Sequence, residues 1–265
     1  MINANGFEFN KKTSDEFGLI ICTFDSGGKE DGKAGSHISF TTSSSPVRNR
    51  WLKFGNAIYD EQLEFSFQVA KSNFKTFDSY ELASIQRWLV RKDGYKDFQL
   101  IKSDYDNIHF NACIPSIQYI EICGEVVGLT INVKCDSPFG YGSYVTKKID
   151  TSENNVLTIV DMSDEIGFIY PDITINVNSD CDIKIHNSIE DRTLYIKKCV
   201  ENEIITIDST ILQMSTTAVS HNLYENTNYM LPRICNKDND RKNVFTISGD
   251  CVITMKYRPI RKVGV

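Results

Sequence analysis

The stretch LEFSFQVA, residues 63–70, alternates strictly. Leu63, Phe65, Phe67 and Val69 fall on one side of an extended chain, and Glu64, Ser66 and Gln68 on the other. Successive side chains of a strand point to opposite faces, so this pattern buries one face and wets the other. The pattern recurs in VGLTINVKC, with Val127, Leu129, Ile131, Val133 and Cys135, and in DITINVN, with Ile173, Ile175 and Val177. CDIKIH and CVITMKY repeat it, and HISFTT and RNRWLKF are further expected strands. Short strands set off by turn signals imply a mainly β chain built as sandwich or barrel.

One segment breaks the rule. Leu82, Ile85 and Leu89 recur at three and four residues, with Trp88 widening the stripe, which predicts an amphipathic helix over about 79–91. Asp78 or Ser79 can cap its start, and Gly94 suits a left-handed stop at its end. The stripe Leu82, Ile85, Trp88 and Leu89 has to be covered, most simply by LEFSFQVA and the strands that follow.

A chain of 265 residues is long enough for two β domains, and the clearest boundary signal is CDSPFGYGSYVTKKIDTSENN. There Asp136-Ser137-Pro138 ends a strand, Gly140 and Gly142 loosen the backbone, and Ser152 to Asn155 is a polar break. The expected division is 1–140 and 141–265. SGGKEDGKAGS, Ser26 to Ser36, and NKDNDRKN, Asn236 to Asn243, read as loops. No apolar h-region follows Met1 and no apolar run is long enough to span a bilayer, so the chain is expected to fold in a cytoplasm.

A search for chemistry returns little. Of the eight cysteines, Cys113, Cys123, Cys135, Cys181 and Cys251 lie in or beside strand-like segments, and no pair has C-x-x-C spacing. Reduced thiols acting as small hydrophobes are expected. His37, His109, His186 and His221 are dispersed, and each reads as a structural histidine. No nucleophile elbow, phosphate loop or dinucleotide loop is present. Asp104 and Asp106 sit in a short polar link and read as turn formers. Asp238 and Asp240 have calcium-loop spacing but lack the mid-loop glycine and closing glutamate. The expectation is therefore no catalytic residue, no metal and no cofactor. A net charge of −6, shared evenly by the two halves, argues against a nucleic-acid grip. Tyr95, Tyr105, Tyr141, Tyr144, Tyr195, Tyr224 and Tyr229 suit sugar stacking and ordinary strand packing alike, and sequence does not separate the two.

Several pieces stand in one order. FEFNKKTSDEFGLIICTF pairs a short Phe-x-Phe strand with a turn and Phe17-Gly18-Leu19. LEFSFQVA follows, then the helix ending in Trp88-Leu89, the strand Phe98 to Ile101, an acidic turn at Ser103 to Asn107, and HFNACI. VVGLTINVKCDSPFGYG closes the half. YPDITINVN, NEIITIDS and NVFTISGDCVITMKYRP come after it, the last giving an asparagine, a strand, Ser-Gly and a Tyr-Arg strand. This order resembles the distal tail protein (Dit) family of long-tailed phages infecting Gram-positive bacteria. SGGKEDGKAGS and TTSSSPVRNR depart from it.

The resemblance implies a tail-tube-like β domain with one packed helix, followed by a galectin-like β-sandwich projecting outward. It implies six copies in a ring at the distal end of the tail, singly or as stacked rings. The implied partners are the tail tube protein, a tail-tip or tail-associated lysin-type protein, and receptor-binding proteins or host-surface glycans. DNA would pass through the channel without specific binding, past a wall expected to be neutral to acidic. The alternative is a monomeric carbohydrate-binding module of the host-adsorption apparatus.

Overall fold

The computed structural model describes residues 4–24, 38–45, 50–53, 55, 57–102 and 106–263. The expected loop Ser26 to Ser36, and with it His37, Asp104 and Tyr105, lie outside the described residues. The protein is mainly β, with one helix of eleven residues. It divides into two units, Met1–Gly142 with Arg261–Val265, and Ser143–Ile260. A single cut after Gly140 therefore misses the return of Arg261–Val265 to the first unit, where Val263 is buried in the core.

The first unit is built on an antiparallel sheet. Its strands run in the order Lys12–Thr13, Gly6–Phe9, Lys96–Ile101, His109–Ile122, Glu125–Cys135, Glu64–Lys71 and Leu19–Cys22. The alternation in LEFSFQVA sets its register. Phe65, Phe67 and Val69 are buried with Phe7, Phe98, Leu100, Phe110, Leu129 and Ile131, while Glu64 and Ser66 stay exposed. HISFTT, expected as one strand, falls into two pieces: Ile38–Ser39 pairs with Ile58–Tyr59, and Thr42–Ser45 with Arg50–Lys53.

The helix runs Ser79–Leu89. Asp78 caps it: its Oδ1 accepts from the Glu81 N–H at 2.8 Å, and Glu81 Oε2 accepts in return from the Asp78 N–H at 3.0 Å. It stops two residues short of the expected end, because Val90 turns to extended backbone at φ −87°, ψ 97°. A branched Cβ favours that region. Gly94 does adopt a left-handed φ of +87°, but in the turn into Lys96–Ile101 rather than as the helix stop. Ile85, Trp88 and Leu89 are buried and Leu82 packs at the margin of the same core.

The second unit is a two-layer sandwich. One sheet orders Val145–Asp150, Cys251–Tyr257, Asp172–Val177, Ile204–Asp208 and Gln213–Thr216. The other orders Val156–Val160, Lys242–Ser248, Cys181–Asn187 and Arg192–Cys199. The inward faces supply Ile173, Ile175, Ile253 and Met255 from the first, and Ile183, Ile185, Leu194 and Phe245 from the second. The polar break Ser152 to Asn155 is a corner of this sandwich and not a domain boundary, since it joins strands of opposite sheets. Ser248–Asp250 makes another such corner. Gly249 has φ +107°, and a Cβ there would lie 2.8 Å from the Asp182 carbonyl oxygen, so no side chain fits.

Glu190 and Arg233 form a bidentate pair at 2.7 and 2.6 Å on this unit, with the guanidinium 3.9 Å from the Phe168 ring centroid. The hydrogen bonds from Arg233 hold the Glu190 carboxyl below its ordinary range. A depressed carboxyl contributes stability above its unfolded pKa and loses it as pH falls through the folded one. Glu190→Gln is therefore expected to lower stability at pH 7 by about 1–3 kcal/mol, with the gap to wild type closing below about pH 4. Urea unfolding at both pH values checks it, and a gap that persists in acid refutes it.

Candidate functional site

Three places carry features beyond packing. The first is the hairpin His109–Ile122 and Glu125–Cys135, turned by Cys123 at φ +54° and Gly124 at φ +82°. Positive φ at both central residues matches the twist of the strands they join. One edge of the first strand pairs with Glu125–Cys135 from Ala112 to Ile122, with register shifts between Cys113 and Ser116 and between Ile120 and Glu121. On its other edge Lys96–Ile101 reaches only His109 to Ala112. Among the described residues no strand flanks that edge from Ser116 to Ile122. Tyr119 and Ile122 stand exposed there, and Tyr119 Oη accepts from Gln86 Nε2 of the helix at 2.9 Å. An open edge of this kind offers unmet N–H and C=O groups to another chain.

The second is a group of exposed tyrosines on the sandwich. The rings of Tyr224 and Tyr229 lie 6.4 Å apart. The Tyr195 N–H donates to Asn228 Oδ1 at 3.0 Å, which brings the backbone beside Tyr229 against the strand that carries exposed Tyr195. Tyr144 is engaged differently: Lys256 Nζ and the Arg258 guanidinium lie 4.0 and 4.1 Å from its ring centroid. Tyr95 is exposed on the first unit, and Tyr141 is half-buried.

The third was not foreseen. Cys199 ends the strand Arg192–Cys199, and Glu203 follows a tight turn with Asn202 at φ +62°. The Val200 N–H donates to Glu203 Oε2 at 3.0 Å, and Thr216 Oγ1 donates to Glu203 Oε1. His221 Nδ1 is 2.6 Å from Glu203 Oε1, and both side chains are essentially inaccessible to solvent. Burial, reinforced by the nearby Glu203, pushes the Cys199 thiol up to about 12, so it is protonated at neutral pH. A protonated, buried thiol is no nucleophile. In sequence, Glu203 is one of two acids in the turn Glu201-Asn202-Glu203 and His221 a lone histidine in a polar stretch eighteen residues on, which is why spacing did not join them.

The remaining candidates make local contacts. His109 Nδ1 meets Asp97 Oδ2 at 3.0 Å, and His186 Nδ1 meets Thr193 Oγ1 at 2.9 Å. Asp238 and Asp240 shape a turn in which Asn236 Oδ1 accepts from the Asp238 N–H and the Lys237 N–H donates to the Asp240 carbonyl. Asp106 is exposed. Cys135, Cys199, Cys235 and Cys251 are buried, Cys22, Cys113 and Cys181 half-buried, and Cys123 exposed at the hairpin turn. No helix among the described residues is long and apolar enough to cross a membrane.

Comparison with known proteins covers nearly the whole chain. A family model described as the phage tail protein N-terminal domain matches residues 2–137, and one described as the phage tail C-terminal domain matches 139–257. No curated protein sequence matches. Among solved structures, the Dit protein of phage SPP1, described as a paradigm of the hub adsorption apparatus in Gram-positive-infecting phages, shares the fold. The TM-score is 0.68 at 10% identity, over 96% of this chain and 98% of that one. Two structures of the phage P2 baseplate in its activated conformation also match. The Ca form gives TM-score 0.43 at 12% identity, over 87% of this chain and 88% of that one. The Sr form gives 0.45 at 11% identity, over 96% and 98%. Scores that low carry no argument.

Proposed function

Because the chain belongs to this family of phage tail proteins, we propose that it is a distal tail hub: a non-enzymatic structural protein whose first unit closes into a ring of six. The observation that carries this is the likeness to the SPP1 Dit fold over 96% of the chain. The open edge Ser116 to Ile122 is the surface through which one copy meets the next, by strand pairing around a heterologous contact that closes. The first unit continues the tail tube and meets the tail-tip or lysin-type protein. The second, read as a galectin-like sandwich, faces outward toward receptor-binding proteins. Virion position follows from the family. The net charge of −6 per copy fits a channel wall that is neutral to acidic, as passage of DNA without capture requires.

Light scattering with negative-stain imaging of the same peak tests the reading. A mass of six or twelve chains in ring images is expected, and the double variant Tyr119→Lys, Ile122→Lys is expected to remain folded and run as single chains. A wild-type protein that stays monomeric at every concentration would sink the ring.

The tyrosine group favours a second reading for the sandwich. Tyr195, Tyr224 and Tyr229 present aromatic surface within one stretch of it, as sugar-stacking sites do. Glycan-array binding by the wild type, lost in Tyr224→Ala and Tyr229→Ala, would support it, and no glycan bound would dismiss it.

A further inference from the structure

Among the described residues, Cys199, Glu203 and His221 are a group of potential metal donors whose ligand atoms all lie within 4.8 Å of one another. All three are buried, and Ile205, Ile207, Leu223 and Cys251 belong to the same sandwich core. Two facts separate this cluster from an ordinary buried hydrogen-bond network. The Glu203 side chain has no measurable exposure, yet its facing partner is a histidine rather than a permanently charged arginine or lysine. The imidazole uses Nδ1 toward Glu203, while its Nε2 is buried with no hydrogen-bond partner. Whichever tautomer the ring adopts, one buried polar atom is left unmet, which native proteins rarely tolerate without a further group.

We propose that Cys199, Glu203 and His221 bind one zinc-class divalent cation that pins the sandwich. The donor set chooses the class: a thiolate disfavours magnesium and calcium, and a mixed sulfur, nitrogen and oxygen set suits zinc. Charge supports it as well. A divalent ion, one thiolate, one carboxylate and one neutral imidazole sum to zero, which a site sealed from water requires. Binding forms the metal–sulfur, metal–oxygen and metal–nitrogen bonds and releases the thiol proton to solvent.

The placement suits a structural role. Cys199 and Glu203 flank the turn that carries the chain from the four-stranded sheet to the five-stranded one. His221 comes from the segment beyond Gln213–Thr216, closed by its own N–H donating to the Ala218 carbonyl at 3.1 Å. One ion therefore ties both sheets and that segment together. Three protein donors leave a fourth tetrahedral position to one enclosed water or to Thr216, whose hydroxyl already contacts Glu203.

The test uses the full chain. Mass spectrometry of the purified, dialysed protein is expected to find one zinc per chain. Chelator treatment is expected to lower the thermal midpoint, and zinc at a hundredfold excess over its Kd to restore it by on the order of 10 °C. Cobalt added to the stripped protein is expected to give a sulfur-to-cobalt charge-transfer band that Cys199→Ser abolishes. Wild-type protein that holds no metal, gains no thermal stability from zinc and shows no cobalt band overturns the site. A band that survives Cys199→Ser overturns it as well, by placing the ion on another thiol such as exposed Cys123.

Discussion

Trp88→Ala is expected to cost the first unit about 3–5 kcal/mol. The indole is sandwiched: Phe17 lies parallel to it at 4.2 Å and 2°, Phe7 at 5.4 Å and 8°, and Phe7 stacks in turn near Phe98 at 5.8 Å. Its Nε1–H donates to the Phe9 carbonyl at 3.0 Å, so the ring also anchors the helix to the backbone of the strand Gly6–Phe9. Alanine removes the ring area, both stacks and the donor together. Trp88→Phe keeps most of the area but strands the Phe9 carbonyl, and is expected to lose about 1–3 kcal/mol. Urea unfolding measures both losses. Hydrogen exchange locates them: amides of Lys96–Ile101 should exchange faster, and those of Asp172–Val177 should not. A Trp88→Ala loss below about 1 kcal/mol would mean the helix is held by something other than this ring.

The second large effect is expected at Asn243, which is fully buried. Its Oδ1 accepts from the Cys235 N–H at 2.8 Å and from Asn187 Nδ2 at 3.0 Å, and its Nδ2 donates to the Cys235 carbonyl at 2.9 Å. The amide thus replaces a missing backbone partner for Cys235, in the short strand Ile234–Asn236 that lies against Lys242–Ser248 without joining its sheet. Asn243→Ala leaves buried groups of Cys235 and Asn187 unpaired. Each such group costs about 1–3 kcal/mol, so a total near 3 kcal/mol or above is expected. Asn243→Asp keeps the acceptor but sets a buried carboxyl against the Cys235 and Arg241 carbonyls, so at neutral pH it is expected to lose at least as much as Asn243→Ala. An unchanged thermal midpoint in Asn243→Ala would contradict the assignment.

These two residues show what a sequence exposes and what it hides. Trp88 was visible because helical spacing put it beside Leu82, Ile85 and Leu89, and the periodic strands declared themselves for the same reason: burial of one face repeats along the chain. Asn243 was visible as part of a family-like order, but its work was not. A side chain that mimics a backbone partner leaves no periodic trace. The cluster of Cys199, Glu203 and His221 was hidden for a third reason. His221 comes from well beyond the turn that joins the other two, and only the pairing of Ile204–Asp208 with Gln213–Thr216 brings it close. The helix end was misplaced because Gly94 advertised a left-handed stop that Val90 had already made unnecessary.

The burial of Val263 in the first unit has a consequence for synthesis. Ribosomes make the chain in order, and this side chain emerges only after the whole of Ser143–Ile260. The core around Phe7, Trp88 and Phe98 is thus completed by a residue translated late. A copy cut short anywhere in the sandwich carries an unfinished first unit, with a gap where Val263 belongs. Such a fragment is expected to hold its first unit less firmly than the full chain does, so the stability of the part made first depends on the part made last.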